Sequence, residues 1–102
     1  MDPNSVRFSQ SSVHYRFSDG ASIDDLAEGL RSGRVKSEDV PPLRLVLRDG
    51  SFYTLDNRRL EAFRRAGTAI PWRMANEEEI AACTWKFTTK NNGMTVKVRG
   101  QS

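Results

Sequence analysis

The sequence holds one cysteine, Cys83, and one histidine, His14, in 102 residues. A lone cysteine excludes a framework of disulfides within the chain. With only one histidine beside it, the ligands for a Cys/His zinc cluster are missing too. No apolar run approaches the length that crosses a bilayer. The opening residues, Met-Asp-Pro-Asn-Ser, lack the apolar core of a secretory signal, so no signal peptide is expected. These absences predict a soluble protein suited to a reducing compartment. A chain of this length fits one domain, residues 1–102, that can bury a core without disulfides or metal.

What the chain does have is arginine. The net charge is +3, and Arg supplies 12 of the 16 basic residues. The excess is local. Residues 43–73 carry seven Arg against Asp49, Asp56 and Glu61, whereas residues 1–42 are net negative. The planar guanidinium fork suits phosphate oxygens better than a lysine ammonium does. The distribution therefore favours an anionic partner, a nucleic acid or a nucleotide, over an ordinary mildly basic surface.

The same stretch has the clearest pattern. Leu43, Leu45 and Leu47 alternate with Arg44, Val46 and Arg48, a strand signal. Asp49-Gly50 is a two-residue hairpin turn, and residues 52–55 (Phe-Tyr-Thr-Leu) make the return strand. Asp56 or Asn57 is placed to cap a helix carrying the apolar pair Leu60 and Phe63. Gly67 ends it, and Ala69, Ile70 and Trp72 begin a further strand, with Pro71 at an edge or strand end. Arg58 and Arg59 fall in the first turn of that helix, where the dipole opposes cations and free N–H groups attract anions. Two readings stand: a phosphate or carboxylate cradle, or arginines that are solvated or paired with Asp49 and Asp56. Helical geometry puts Arg59 beside the apolar stripe and Arg58 away from it, which favours Arg59 for a fixed role.

Upstream, Val6 and Phe8 suggest a short strand, and Val13, Tyr15 and Phe17 alternate with His14 and Arg16. His14 then lies on the polar face, either as a surface residue or as an acid–base group. Ser22 caps a helix whose face is Ile23, Leu26, Ala27 and Leu30, with Asp25 at the third position complementing the dipole. Downstream, Asn76 caps a further short helix with Glu79 in a capping-box arrangement, and Glu77, Glu78 and Glu79 all complement its N-terminus, which accounts for the run without a metal. Cys83 reads as a small apolar residue. Asn91-Asn92-Gly93, between runs that alternate around Trp85 and Val98, predicts a C-terminal hairpin with Lys97 and Arg99 on its polar face. Trp72 and Trp85 read as core residues in preference to base-stacking platforms. The predicted class is α+β: a small mixed sheet of about five to six short strands with two or three helices.

The order strand, Asp49-Gly50 turn, strand, Asp56-Asn57-Arg58-Arg59-Leu60-Glu61-Ala62, then Ala66-Gly67 and Ile70-Pro71, resembles the ParB/sulfiredoxin-like superfamily. Partition proteins of that group carry a Gly-Glu-Arg-Arg-x-x-Ala box at the corresponding turn, and the box holds nucleotide or phosphate groups. The resemblance covers roughly a third of the chain closely. It implies that Asn57, Arg58 and Arg59 bind phosphate. Asp56 replaces the glycine of the box and Asn57 its glutamate, so a metal-linked carboxylate would have to come from Asp56. Mg²⁺ is the one cofactor this reading admits. Cys83 lies in no box like the sulfiredoxin catalytic cysteine, so sulfinic acid reduction is not carried over. The tract Val-Arg-Phe-Ser-Gln-Ser-Ser-Val at residues 6–13, ahead of a short basic domain, also resembles the C-terminal toxin domains of Rhs-type polymorphic toxins. That resemblance implies action in the cytoplasm of a target cell and neutralisation by an immunity protein.

Three functions follow as expectations. The first is a nuclease-type toxin or effector: Arg58 and Arg59 hold the scissile phosphate, His14 with Asp56 or Asp49 supplies acid–base chemistry, and Lys90 and Lys97 extend a backbone-tracking groove. The second is a nucleotide-dependent module using the same box. The third is a non-catalytic nucleic-acid-binding domain.

Overall fold

The computed structural model of the protein describes residues 1–100 apart from the Lys86 side chain. Six short strands and three α-helices alternate along the chain. They are β1 (Val6–Phe8), β2 (Ser12–His14), α1 (Ile23–Ser32), β3 (Leu43–Arg48), β4 (Ser51–Thr54), α2 (Asn57–Ala66), β5 (Trp72–Met74), α3 (Glu77–Ala82) and β6 (Lys97–Arg99). The expected mixed α+β architecture is present, but the strands divide into two sheets. One has four strands in the order β1-β4-β3-β5, and the other pairs β2 with β6.

The β3–β4 hairpin forms where the sequence places it. Asp49 (φ 52°) and Gly50 (φ 79°) both occupy the left-handed region, as a type I′ turn requires. The strands pair antiparallel, with Leu45 opposite Thr54 and Leu47 opposite Phe52. β1 joins β4 in parallel and β5 joins β3 in parallel, so Pro71 precedes an edge strand.

α1 and α2 pack their apolar residues on the sheet. Leu43, Leu45, Leu60, Phe63, Val6 and Phe8 form the main core. Val13, Ile23, Ala27 and Ala62 form a second apolar cluster, between β2 and the two long helices. At roughly 1.5–3 kcal/mol per large apolar side chain, this burial is the main favourable term in the fold. The capping box expected at Asn76 and Glu79 is present, and the Ser22 cap is a capping box too, with the Asp25 side chain accepting from the Ser22 amide. Gly67 closes α2 in the left-handed conformation. The charged rim of α2 also fixes it to α1: Arg65 pairs with Glu61 and Asp24, each at 2.9 Å, and Arg31 donates to the Arg65 carbonyl. Cys83 is buried, as expected.

Three expectations are corrected. The strand predicted around Val13–Phe17 keeps only Ser12–His14; Tyr15 and Phe17 continue outside the ladder, and Arg16 makes an isolated bridge to Ser22. The C-terminal hairpin does not form. Thr84–Lys86 is a 3₁₀ turn, and the next residues line the open edge of β1 instead of pairing with each other. There the Phe8 amide donates to the Gly93 carbonyl, and the Thr88 and Thr89 amides donate to the Ser9 carbonyl. The unpaired edge of β1 competes successfully for these groups. Finally, neither tryptophan is in the core: Trp72 is 43% exposed on the edge strand and Trp85 is 67% exposed. No helix among the described residues is long and apolar enough to cross a membrane.

Candidate functional site

Five residues singled out in the sequence meet in space. His14, Asp56, Asn57, Arg58 and Arg59 all line one cavity of about 590 Å³. The cavity lies where the end of β2 faces the β4–α2 turn. Arg99 from β6 and Trp85 from the turn after α3 are among the other residues that line it. Neither Lys90 nor Lys97 lines it; both are exposed elsewhere. Asp49 stays in the hairpin turn, outside this cavity.

The β4–α2 turn sets the cavity floor. Asp56 occupies the N-cap position of α2, but its side chain makes no capping bond. It turns back to β3. Its Oδ2 accepts from the Arg44 amide at 2.8 Å and from Arg44 Nε at 3.2 Å, and its Oδ1 accepts from Arg44 Nη2 at 2.9 Å. The Arg59 Nη2 lies 2.7 Å from the same Oδ1. Burial pushes the Asp56 carboxyl up, but the Arg44 hydrogen bonds and the Arg59 charge outweigh it and hold the group below the ordinary aspartate value. A carboxylate so engaged is a poor proton acceptor. With its oxygens in the fork of one guanidinium and against a second, Asp56 does not fit the role of an Mg²⁺ ligand either.

Asn57, the first residue of α2, is buried and satisfied. Its Oδ1 accepts from the Ser9 amide at 2.8 Å and the Gln10 amide at 3.3 Å. Its Nδ2 donates to Ser9 Oγ and Gln10 Oε1. This residue therefore staples the end of β1 to the start of α2.

The two arginines of the first turn differ. Arg59 is held: besides Asp56, its Nη1 donates to the Pro41 carbonyl at 2.7 Å. Arg58 is more lightly tied. Its Nη1 donates to the Arg16 carbonyl at 2.8 Å, and its guanidinium sits 5.3 Å from the centre of the Phe17 ring. The sequence argument favoured Arg59 for the fixed role, and the fixing partners are protein groups. Arg58 retains more donor capacity toward the cavity.

His14 and Arg99 stand opposite one another in the parallel β2–β6 register. The His14 Nδ1 accepts from the Arg16 amide at 3.1 Å. In the neutral ring that bond assigns the proton to Nε2. Arg16 thus links the site twice, through its amide to His14 and through its carbonyl to Arg58.

The cavity wall therefore bears the cations Arg58, Arg59 and Arg99 against one carboxylate, which Arg44 and Arg59 already neutralise. The residual charge is positive. The α2 N-terminus adds partial positive charge, uncapped by Asp56. Arg99 has no local signal as a site residue, because its place depends on a parallel pairing between strands more than 80 residues apart along the chain, and Trp85 reaches the cavity from the turn after α3. Arg44 was read only as a strand residue, and nothing local marks it as the partner of Asp56. No family model, curated protein or solved structure matches the chain.

Proposed function

We propose that the cavity binds a phosphate ester of a nucleic acid or nucleotide, and that the domain acts on it as a nuclease-type toxin or effector of the ParB/sulfiredoxin-like kind. The observation that carries this reading is the convergence of Arg58, Arg99 and His14 on one cavity with the first turn of α2. Three distant segments supply donors to a single concave surface whose one carboxylate among the described residues is already neutralised.

The roles follow from the partners. Arg58 and Arg99 hold the non-bridging phosphate oxygens and oppose the negative charge that grows on them as the P–O bond breaks. Arg59, fixed by Asp56 and Pro41, braces the turn that presents Arg58. The Nε2–H of His14 is available to donate a hydrogen bond to a phosphate or leaving oxygen. Asp56 takes no proton. On the toxin reading, the protein partner is an immunity protein that covers this cleft. A binding module without turnover is favoured by one specific fact, that among the described residues no uncommitted carboxylate lines the cavity.

Incubation of the purified domain with total RNA, plasmid DNA and a panel of nucleoside triphosphates, with and without Mg²⁺, tests the proposal. Cleavage or turnover that disappears in Arg58→Ala and in His14→Ala supports the enzyme. Salt-sensitive binding without product, lost in Arg58→Ala, supports the binding module. Absence of both overturns the phosphate reading.

A further inference from the structure

The same cavity has an aromatic wall. Trp85 lines it together with Arg58 and Arg99, and the Trp85 residue is 67% exposed. Its indole is oriented by a bond from Nε1 to the Ala82 carbonyl at 3.0 Å. An exposed indole gains nothing for the core, and here its polar edge is tied to the main chain of α3. Such a ring is held in place before any ligand arrives, so less rotamer freedom is lost when something packs on it.

We infer that Trp85 is a stacking platform for an unpaired base, and that the cavity is consequently selective for single-stranded nucleic acid over duplex. This inference rests on the phosphate reading above and adds the class of substrate to it. The chemistry has two halves. Arg58 and Arg99 meet the phosphate, which every strand presents. Trp85 meets a base face, which only an unpaired nucleotide presents freely, because in a duplex both faces are covered by neighbouring pairs. A duplex would first have to unpair and flip a base into the cavity, at the cost of its stacking. A space of about 590 Å³ bounded by both walls is of a size to hold one nucleotide unit rather than a helix. Stacking is tolerant of sequence, so the expected preference is for strandedness and not for a particular base.

The test uses the intact domain and a fluorescent 2′-O-methyl oligonucleotide, chosen to block attack by the ribose hydroxyl. It is presented as a single strand and annealed to its complement. Inorganic pyrophosphate, displacing the single strand in competition, serves as the phosphate-only probe. Wild type should bind the single strand at least roughly tenfold tighter than the duplex. Trp85→Ala should weaken single-strand binding by roughly 5- to 150-fold, the range for losing one stacked base, while pyrophosphate competes at unchanged concentration. Trp85→Phe should restore part of the loss, and Trp72→Ala, the other exposed tryptophan, should behave as wild type. Single-strand affinity unchanged in Trp85→Ala, or strand and duplex weakened equally, overturns the inference and leaves the phosphate reading standing. Binding that is indifferent to Arg58→Ala for every probe overturns the phosphate reading itself.

Discussion

Asp56 binds Arg44 through both its carboxylate oxygens, and one of those bonds runs to the Arg44 backbone amide at 2.8 Å. The side chain that could have capped α2 instead anchors α2 to β3. The consequence is double. The first turn of the helix keeps its positive end uncapped by this carboxylate, and the one acidic side chain that lines the cavity among the described residues is spent on structure.

Arg58 and Arg59 should therefore separate on substitution. Arg59→Ala removes bonds to Pro41 and Asp56 from a side chain that is 23% exposed. A loss of about 2 kcal/mol is expected, the scale for hydrogen bonds to charged groups. Arg58→Ala gives up one bond to a carbonyl near the surface, and should cost less than about 1 kcal/mol while abolishing phosphate binding. Urea denaturation beside a binding titration reads both quantities. If Arg58→Ala unfolds the domain and Arg59→Ala does not, the two roles are exchanged.

Asn57 offers a sharper structural test, because it is buried and fully engaged. Asn57→Ala strands the Ser9 and Gln10 amides, for an expected loss of roughly 2–3 kcal/mol. Asn57→Asp keeps an acceptor for both amides at a helix N-terminus that favours negative charge, so it should recover part of that loss. Equal unfolding midpoints for wild type and Asn57→Ala would show that the staple between β1 and α2 contributes nothing.

The sequence made the local parts of this fold readable and hid the distant ones. The Asp49-Gly50 turn, the capping boxes at Ser22 and Asn76, and the Gly67 stop each follow from chemistry within a few residues. The C-terminal hairpin failed for the opposite reason. Asn91-Asn92-Gly93 does turn, with Asn92 and Gly93 in the left-handed region, but the choice of what pairs beside it is made by the open edge of β1. The candidate site was half legible. The Asp56–Arg59 box stood out as a string, and His14 as the sole histidine, whereas Arg99 and Trp85 reach the cavity only through the β2–β6 pairing and the turn after α3.

The packing of that C-terminal loop against β1 can be checked at one glycine. Gly93 has a φ of 72°, and a Cβ there would lie 2.4 Å from the Phe8 carbonyl oxygen and 2.9 Å from the Phe8 amide nitrogen. Gly67 has a similar φ of 69° but open space around it. Gly67→Ala should cost about 1 kcal/mol for the conformation alone. Gly93→Ala adds a collision with backbone, which cannot move aside as a side-chain tip can, and should cost about 3 kcal/mol. Thermal unfolding of the pair measures the difference. Equal losses would place the loop away from β1.

Acid should find a weak point at Glu79. The bidentate bond from Arg73 is the largest influence on it, followed by the Asn76 amide, and together they lower its carboxyl from 4.5 to about 2. A group whose folded pKa is depressed stabilises the protein above its unfolded pKa and stops doing so as pH falls through its folded one. The contribution of Glu79 should thus be complete at neutral pH and should fade between about pH 4.5 and pH 2. Glu79→Gln removes the titration but keeps an acceptor in the same place. The variant should start less stable at neutral pH, change less steeply across that window, and converge on wild type near its lower end. Some slope will remain in both proteins, because Asp24 and Asp56 are also held below their ordinary values, the first by Arg65 and the second by Arg44 and Arg59. Urea midpoints collected at a series of pH values give the comparison. A gap between the two proteins that stays constant through the window would mean that Arg73 and Glu79 are not paired in solution.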